Sequence, residues 1–213
     1  MEIELKLSIA AADVAAFRQL PLLTSLSSGP AQVQELFSTY FDTPGLLLKQ
    51  HRSALRVRKA GDLWIQTYKG GGRVEAGLHQ RHEWECEVAG AHLELARLLP
   101  LIDNPEARQL LAQPGLASQL QEVFTTSFQR TIWMLQLPAG TQVELALDQG
   151  FVDAAGRSVA LCELELELKC GDTDTLLAFS QELRQAGITL TPSNISKAQR
   201  GFALRFPEND SSI

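Results

Sequence analysis

The chain is poor in cysteine, has no long apolar run and carries no excess of basic charge. Three cysteines in 213 residues (Cys86, Cys162 and Cys170) are an odd number without a C-x-x-C spacing. They suggest neither a disulfide framework nor a thiolate zinc site, and they fit a reducing cytoplasm. No hydrophobic run exceeds four residues, as at Ile132 to Leu135. A spanning helix needs roughly 20, so no transmembrane segment is expected. The opening Met-Glu-Ile-Glu-Leu-Lys puts charges where a signal peptide needs its apolar stretch. Lys plus Arg number 19 against 25 Asp plus Glu, a formal net charge of −6. That balance argues against nucleic acid and against an anionic membrane surface as partners. Four histidines are scattered; His79 and His82 lie three apart, with no second His or Cys pair to complete a metal site. Hydrophobic residues at 45% and charged residues at 21% are those of an ordinary globular domain large enough to bury a core.

Alternation dominates what is present. Residues 2–9 alternate charged and apolar, the pattern of a half-buried strand. The same reading places strands at 36–42, 53–59, 63–69, 80–88, 124–137, 141–148 and 158–169. Asp42-Thr43-Pro44-Gly45, Ala60-Gly61-Asp62, Pro138-Ala139-Gly140 and Gly150 are read as turns, and Gly70-Gly71-Gly72 as a flexible connection. Helices are expected at 11–20, over parts of 92–122 interrupted by prolines, and at 174–186 after an Asp172-Thr173 cap. Acidic alternation opens the chain and recurs at 163–169. About eight strands with short turns and three or four helices define an α+β fold, an antiparallel sheet or barrel with helices outside.

The informative feature is the sorting of charge onto strand faces. Side chains on a strand alternate between its two faces. Glu2, Glu4 and Lys6 share a face, as do Arg56 and Arg58; Arg81, Glu83, Glu85 and Glu87; Glu144 and Asp148; and Glu163, Glu165, Glu167 and Lys169. The opposite faces carry Leu, Ile, Val and Trp. For one strand a solvent-facing amphipathic surface is a sufficient account. Five such strands form a stronger pattern. Two like charges 4 Å apart at an effective dielectric near 20 cost about 4 kcal/mol, so clustered carboxylates take up protons or a cation. All-carboxylate oxygen ligation suits Mg²⁺ or Mn²⁺, while arginines match phosphate oxygens in bidentate geometry. Acidic and arginine faces in one sheet suggest a metal–phosphate ligand between them. Periodicity alone leaves open whether these faces point inward or outward.

Glu2-Ile3-Glu4-Leu5-Lys6 resembles the ExExK signature of the CYTH superfamily, the triphosphate tunnel metalloenzymes. Ordered motifs follow it: Tyr40-Phe41-Asp42-Thr43, Leu55-Arg56-Val57-Arg58, Thr67-Tyr68-Lys69-Gly70, Arg81-His82-Glu83-Trp84-Glu85, Arg130, Glu144 to Asp148, Glu163-Leu164-Glu165 and Ser196-Lys197. Gly77 to Arg81, Leu147 to Gly150 and Ser196 to Gly201 are most similar to the bacterial inorganic triphosphatase branch, in which a helical CHAD domain often follows. The resemblance spans residues 2 to about 206, so one domain is expected at 1–206, with a flexible tail at 207–213.

This resemblance implies an eight-stranded antiparallel β-barrel whose charged faces point into a tunnel. It also implies metal-dependent hydrolysis of inorganic triphosphate to pyrophosphate and phosphate. Lys6, Arg56, Arg58, Lys69, Arg81, Arg130, Lys197 and, less centrally, Arg200 would bind the polyphosphate. Glu2, Glu4, Glu163 and Glu165 would hold one Mg²⁺ or Mn²⁺. A second metal near Glu83, Glu85 or Asp148 would position the attacking water, with Lys69 ahead of Lys197 as base. Tyr40 and Asp42 are expected to shape the strand end, and Trp64, Trp84 and Trp133 to lie in core under the helices. A class IV adenylyl cyclase, a thiamine triphosphatase and a non-catalytic polyphosphate-binding module remain alternatives.

Overall fold

A computed structural model describes the chain over residues 1–207. The polar stretch from Glu208 that was expected to form the tail lies outside the described residues. The strands are β1 (Glu2–Ile9), β2 (Gln32–Asp42), β3 (Ala54–Ala60), β4 (Leu63–Glu75), β5 (Leu78–Val88), β6 (Gln121–Gln136), β7 (Gln142–Ala154), β8 (Arg157–Cys170) and the short β9 (Leu190–Pro192). The helices are α1 (Val14–Arg18), α2 (Pro21–Leu26), α3 (Leu47–Gln50), α4 (Leu95–Leu98), α5 (Pro105–Leu111), α6 (Leu116–Gln119), α7 (Thr173–Arg184) and α8 (Lys197–Arg205).

The strands run in the order β5-β4-β3-β2-β6-β7-β8-β1, and β1 also pairs with β5. The result is a closed, eight-stranded antiparallel barrel, with β9 added alongside the end of β1. Closure removes the exposed edges that an open sheet of this size would present. The two acidic strands β1 and β8 are direct neighbours, with Lys6 opposite Glu165 and Glu4 opposite Glu167.

The apolar faces lie outside the barrel, under the helices. Leu5, Leu7, Leu145, Leu147, Leu164 and Leu166 pack with Phe17 of α1, Leu23 of α2 and Leu176, Phe179 and Leu183 of α7. Leu55, Val57 and Tyr68 pack with Leu98, Ile102, Leu110, Leu111 and Leu116 on the other side. Each fully buried leucine contributes roughly 1.5–3 kcal/mol relative to exposure. Trp133 is buried edge-on to Phe17, and Trp64 and Trp84 pack partly buried against the second cluster. The barrel therefore has its core on the outside and its charges within.

Several local expectations differ from what is observed. Gly70 to Gly72 is not a flexible connection but a bulge within β4. A Cβ on Gly72 would lie 1.8 Å from the Gln80 carbonyl oxygen. Gly150 sits within β7 rather than at a turn, and the reversal falls at Ala155-Gly156. The 11–20 segment splits into a 3₁₀ turn and α1, and α2 follows with Pro21 at its first position. Helix α8 was not expected. Its start is defined by a capping box, in which the Ser196 hydroxyl accepts from Gln199 N–H and the Gln199 side chain accepts from Ser196 N–H.

Candidate active site

The inward faces enclose a cavity of about 210 Å³ lined by side chains from β1 to β6, β8 and the first residues of α8. Glu2, Glu4, Lys6, Arg56, Arg58, Lys69, Arg81, Glu83, Glu85, Arg130, Glu165 and Lys197 all border it. Asp148 and Glu163 stand directly behind, fully buried, and hydrogen-bond to lining residues. Arg200 is partly exposed and lies 3.1 Å from Glu163 Oε2. A larger surface depression of about 570 Å³ beside the end of α7 has Arg184 as its one charged lining side chain. It has no comparable convergence of charge.

The charges form two groups. In the first, Lys197 Nζ lies 2.7 Å from Asp148, 2.6 Å from Glu163 and 2.7 Å from Glu165. Arg130 makes a bidentate pair with Asp148 at 2.7 Å on both arms and reaches Glu165 as well. Lys6 bridges Glu165 and Glu4, the latter at 2.6 Å. In the second group, Lys69 Nζ lies 2.8 Å and 2.9 Å from the two Glu2 oxygens and 3.0 Å from Glu83, and Arg56 is 3.7 Å from Glu83. Glu85 faces Thr67 Oγ1 at 3.5 Å. At the rim, Lys169 pairs with Glu167 at 2.8 Å and Glu144 at 3.5 Å.

This grouping differs from the one expected. Ligand oxygens of Asp148, Glu163 and Glu165 lie within 4.8 Å of one another. Asp148 therefore joins Glu163 and Glu165, not Glu83 and Glu85. Glu2 falls with Lys69 and Glu83 rather than with Glu163. The register explains this: Asp148 is opposite Glu163 across β7–β8, whereas Glu83 is opposite Lys69 across β4–β5.

Burial opposes ionisation of Lys197, but Asp148, Glu163 and Glu165 outweigh it and raise its pKa well above the usual lysine range. This ammonium is held charged by its three carboxylate partners. Burial also opposes ionisation of Glu165, yet Lys197, Lys6 and Arg130 hold its carboxyl well below the ordinary range. Glu2 behaves differently: burial raises it to about 7 despite Lys69, and Glu4 and Glu83 add to the shift. Arg58 is lowered to about 9 by burial and by Arg56 and Arg130.

Tyr40 does more than shape a strand end. It is buried, borders the cavity and stacks on Phe124 with ring centroids 4.4 Å apart. Burial would raise its phenol, but Arg56 and Arg58 lower it. Its signal was available in the alternation Leu36-Ser38-Tyr40, which puts it on the face of Ser38, the partner of Arg58. Asp42 does what was expected. Its carboxylate accepts from the N–H groups of Thr43, Leu48 and Lys49, tying the end of β2 to α3. Phe128 went unnoticed, and Thr67 and Ser196 were read only as members of motifs with no role of their own, since none carries a charge.

Closed-barrel topology with an inward charge lattice defines a charged-tunnel protein. The sequence model of the family described as CYTH domain matches residues 1–202, and the chain belongs to that family. It is 33% identical over 180 residues to a Haemophilus influenzae protein named inorganic triphosphatase, covering 80% of this chain and 47% of that one. The chain thus spans about half the length of that relative. Two solved structures share the fold. A Hippeastrum candidate adenylyl cyclase with a dominant triphosphatase activity superposes with TM-score 0.64 at 18% identity, covering 94% of this chain and 95% of the other. A candidate adenylate cyclase from Bacillus halodurans gives 0.60 at 23% identity, covering 94% and 96%.

Proposed function

We propose that this chain hydrolyses inorganic triphosphate to pyrophosphate and phosphate in the barrel, with Mg²⁺ or Mn²⁺ as cofactor. The observation that carries this reading is the interleaving of Lys6, Arg130 and Lys197 with Asp148, Glu163 and Glu165 in one cavity wall. The other wall carries Arg56, Arg58, Lys69 and Arg81. A buried lattice of this kind costs several kcal/mol per ion unless each charge is matched. A polyanion with its counter-cation matches both signs at once.

The residues fit a hard divalent cation. Asp148, Glu163 and Glu165 offer oxygens within 4.8 Å of one another, and carboxylate oxygens suit Mg²⁺ or Mn²⁺. Such an ion, when bound, supplies charge neutralisation on phosphate oxygens and acidifies a bound water. The chain's own groups do the rest. Arg56, Arg58, Arg81 and Arg130 clamp the phosphoryl oxygens. Lys69, anchored by Glu2 and Glu83, orients the attacking water at the other wall. Phosphoryl transfer depends mainly on such positioning and charge stabilisation.

A nucleotide cyclase is the second reading, favoured by the adenylate cyclase descriptions of the two structural neighbours. A nucleobase needs an apolar slot, and the uncharged carbon-rich lining here is Ala54, Ala198 and Tyr40. The lining favours the bare polyphosphate.

The deciding experiment offers triphosphate, longer polyphosphate, ATP and thiamine triphosphate with Mg²⁺ and with Mn²⁺. Phosphate and cyclic AMP are measured separately. Triphosphate hydrolysis should be the fastest reaction. Faster cyclic AMP formation from ATP, or tight triphosphate binding without turnover in either metal, would overturn the proposal.

A further inference from the structure

An uncharged ring stands among the inward-facing cations of the barrel. Phe128 projects from β6 on the same face as Arg130 and is 3% exposed, with Leu36 and Leu161 packed against it. Across the β6–β7 ladder its partner is Gly150. A Cβ there would fall 2.1 Å from the Ser127 carbonyl oxygen and 2.5 Å from Phe128 Cα and Cβ, so glycine is what lets β6 and β7 approach this closely beside Phe128.

Three cations from three elements meet over the ring. Lys197 Nζ of α8 is 5.1 Å from its centroid, and the guanidinium carbons of Arg58 on β3 and Arg130 on β6 are 5.6 Å and 5.8 Å away. An aromatic face attracts a cation without neutralising it. A carboxylate attracts it more strongly and cancels its charge. Arg130 and Lys197 are shared between the ring and the Asp148, Glu163 and Glu165 carboxylates, while Arg58 donates to Ser38 Oγ at 3.0 Å.

We propose that Phe128 is a positioning residue for anion binding, a π platform that holds Arg58, which makes no ion pair among the described residues, beside Arg130 and Lys197 with its charge available to phosphate. The inference rests on the triphosphatase reading for the identity of the anion. It goes beyond that reading in assigning a role to an uncharged side chain. Without the platform, Arg58 is repelled by Arg56 and Arg130 and moves out of line with Arg130 and Lys197, which their carboxylates hold in place. Phosphate must then draw Arg58 back against that repulsion before it can bind.

The test uses variants that keep the ring's shape and remove its quadrupole. Phenylalanine at 128 is replaced by mono-, tri- and pentafluorophenylalanine through suppression of a stop codon, with Phe128→Leu as an apolar control. Tripolyphosphate affinity is measured calorimetrically in EDTA, where no turnover occurs. KM and kcat are then measured with Mn²⁺, with Tm as a check on folding. Each cation–π contact is worth about 1–2 kcal/mol when desolvated, so full fluorination should weaken affinity about tenfold or more. The decline should be graded with fluorine number and appear in KM, with kcat and Tm nearly constant. Equal affinity across the fluorinated series overturns the inference, even if Phe128→Leu fails to fold. Failure of the wild type to hydrolyse triphosphate while the fluorine series still grades its binding would sink the activity and leave the platform standing.

Discussion

Lys197, the first residue of α8, lies 2.6 Å from Glu163 of β8, and both are buried. The contact joins a helix near the end of the chain to the inner wall of the barrel. Its ammonium stands where three carboxylates converge, the position at which a divalent cation is proposed to bind.

Replacing Lys197 by methionine leaves Asp148, Glu163 and Glu165 short of one positive charge. Breaking a buried ion network in this way costs roughly 3–5 kcal/mol. In EDTA the variant should melt well below the wild type. Added Mn²⁺ should raise its Tm by more than it raises that of the wild type. Equal Mn²⁺ shifts in the two proteins would count against the metal position.

Glu165→Gln removes a charge shared by Lys6, Arg130 and Lys197. Metal-assisted charge stabilisation is worth several kcal/mol, so triphosphatase kcat should fall about a hundredfold or more. Mn²⁺ affinity measured by calorimetry should fall with it. Unchanged Mn²⁺ affinity would place the metal elsewhere.

Glu2 is a group whose folded pKa is raised, from 4.5 to about 7, chiefly by burial. Its contribution to stability is fully present below the unfolded value and is lost as pH rises through the folded one. In EDTA, the stability difference between wild type and Glu2→Gln should therefore move against the wild type between about pH 4.5 and 7, and then level off. Paired pH–Tm series measure this directly. A difference that stays flat across that window would show the carboxyl is not raised.

Gly201 lets α8 approach the barrel. A Cβ there would lie 2.2 Å from the Phe124 ring. Gly→Ala within a helix otherwise stabilises by up to about 1 kcal/mol. Here overpacking should cost about 1–3 kcal/mol instead and lower Tm. A raised Tm would mean that α8 is not seated on Phe124 in solution.

The strand set was legible from alternation, because a period of two is intrinsic to the extended backbone and each outer face had to be apolar to bury against a helix. The short helices of 92–122 were legible only as an interrupted region. Each is four to seven residues long, below the length at which periodicity is informative, and held by packing. Helix α8 was missed because its composition is mixed; a capping box and one glycine at a tight contact position it instead.

The sequence by itself determined that charge is sorted onto one face of each of five strands, that several of those faces are of nearly one sign, and that the opposite faces are largely apolar. Inward or outward orientation is not a property of any one strand, since a two-residue period is the same seen from either side. The tertiary structure decided it by closing β5 onto β1, which encloses the charged face and leaves the apolar one for the helices. It decided the partners of each charge as well. Asp148 meets Glu163 and Lys197 because β7, β8 and α8 are neighbours in space, and that proximity depends on register and closure.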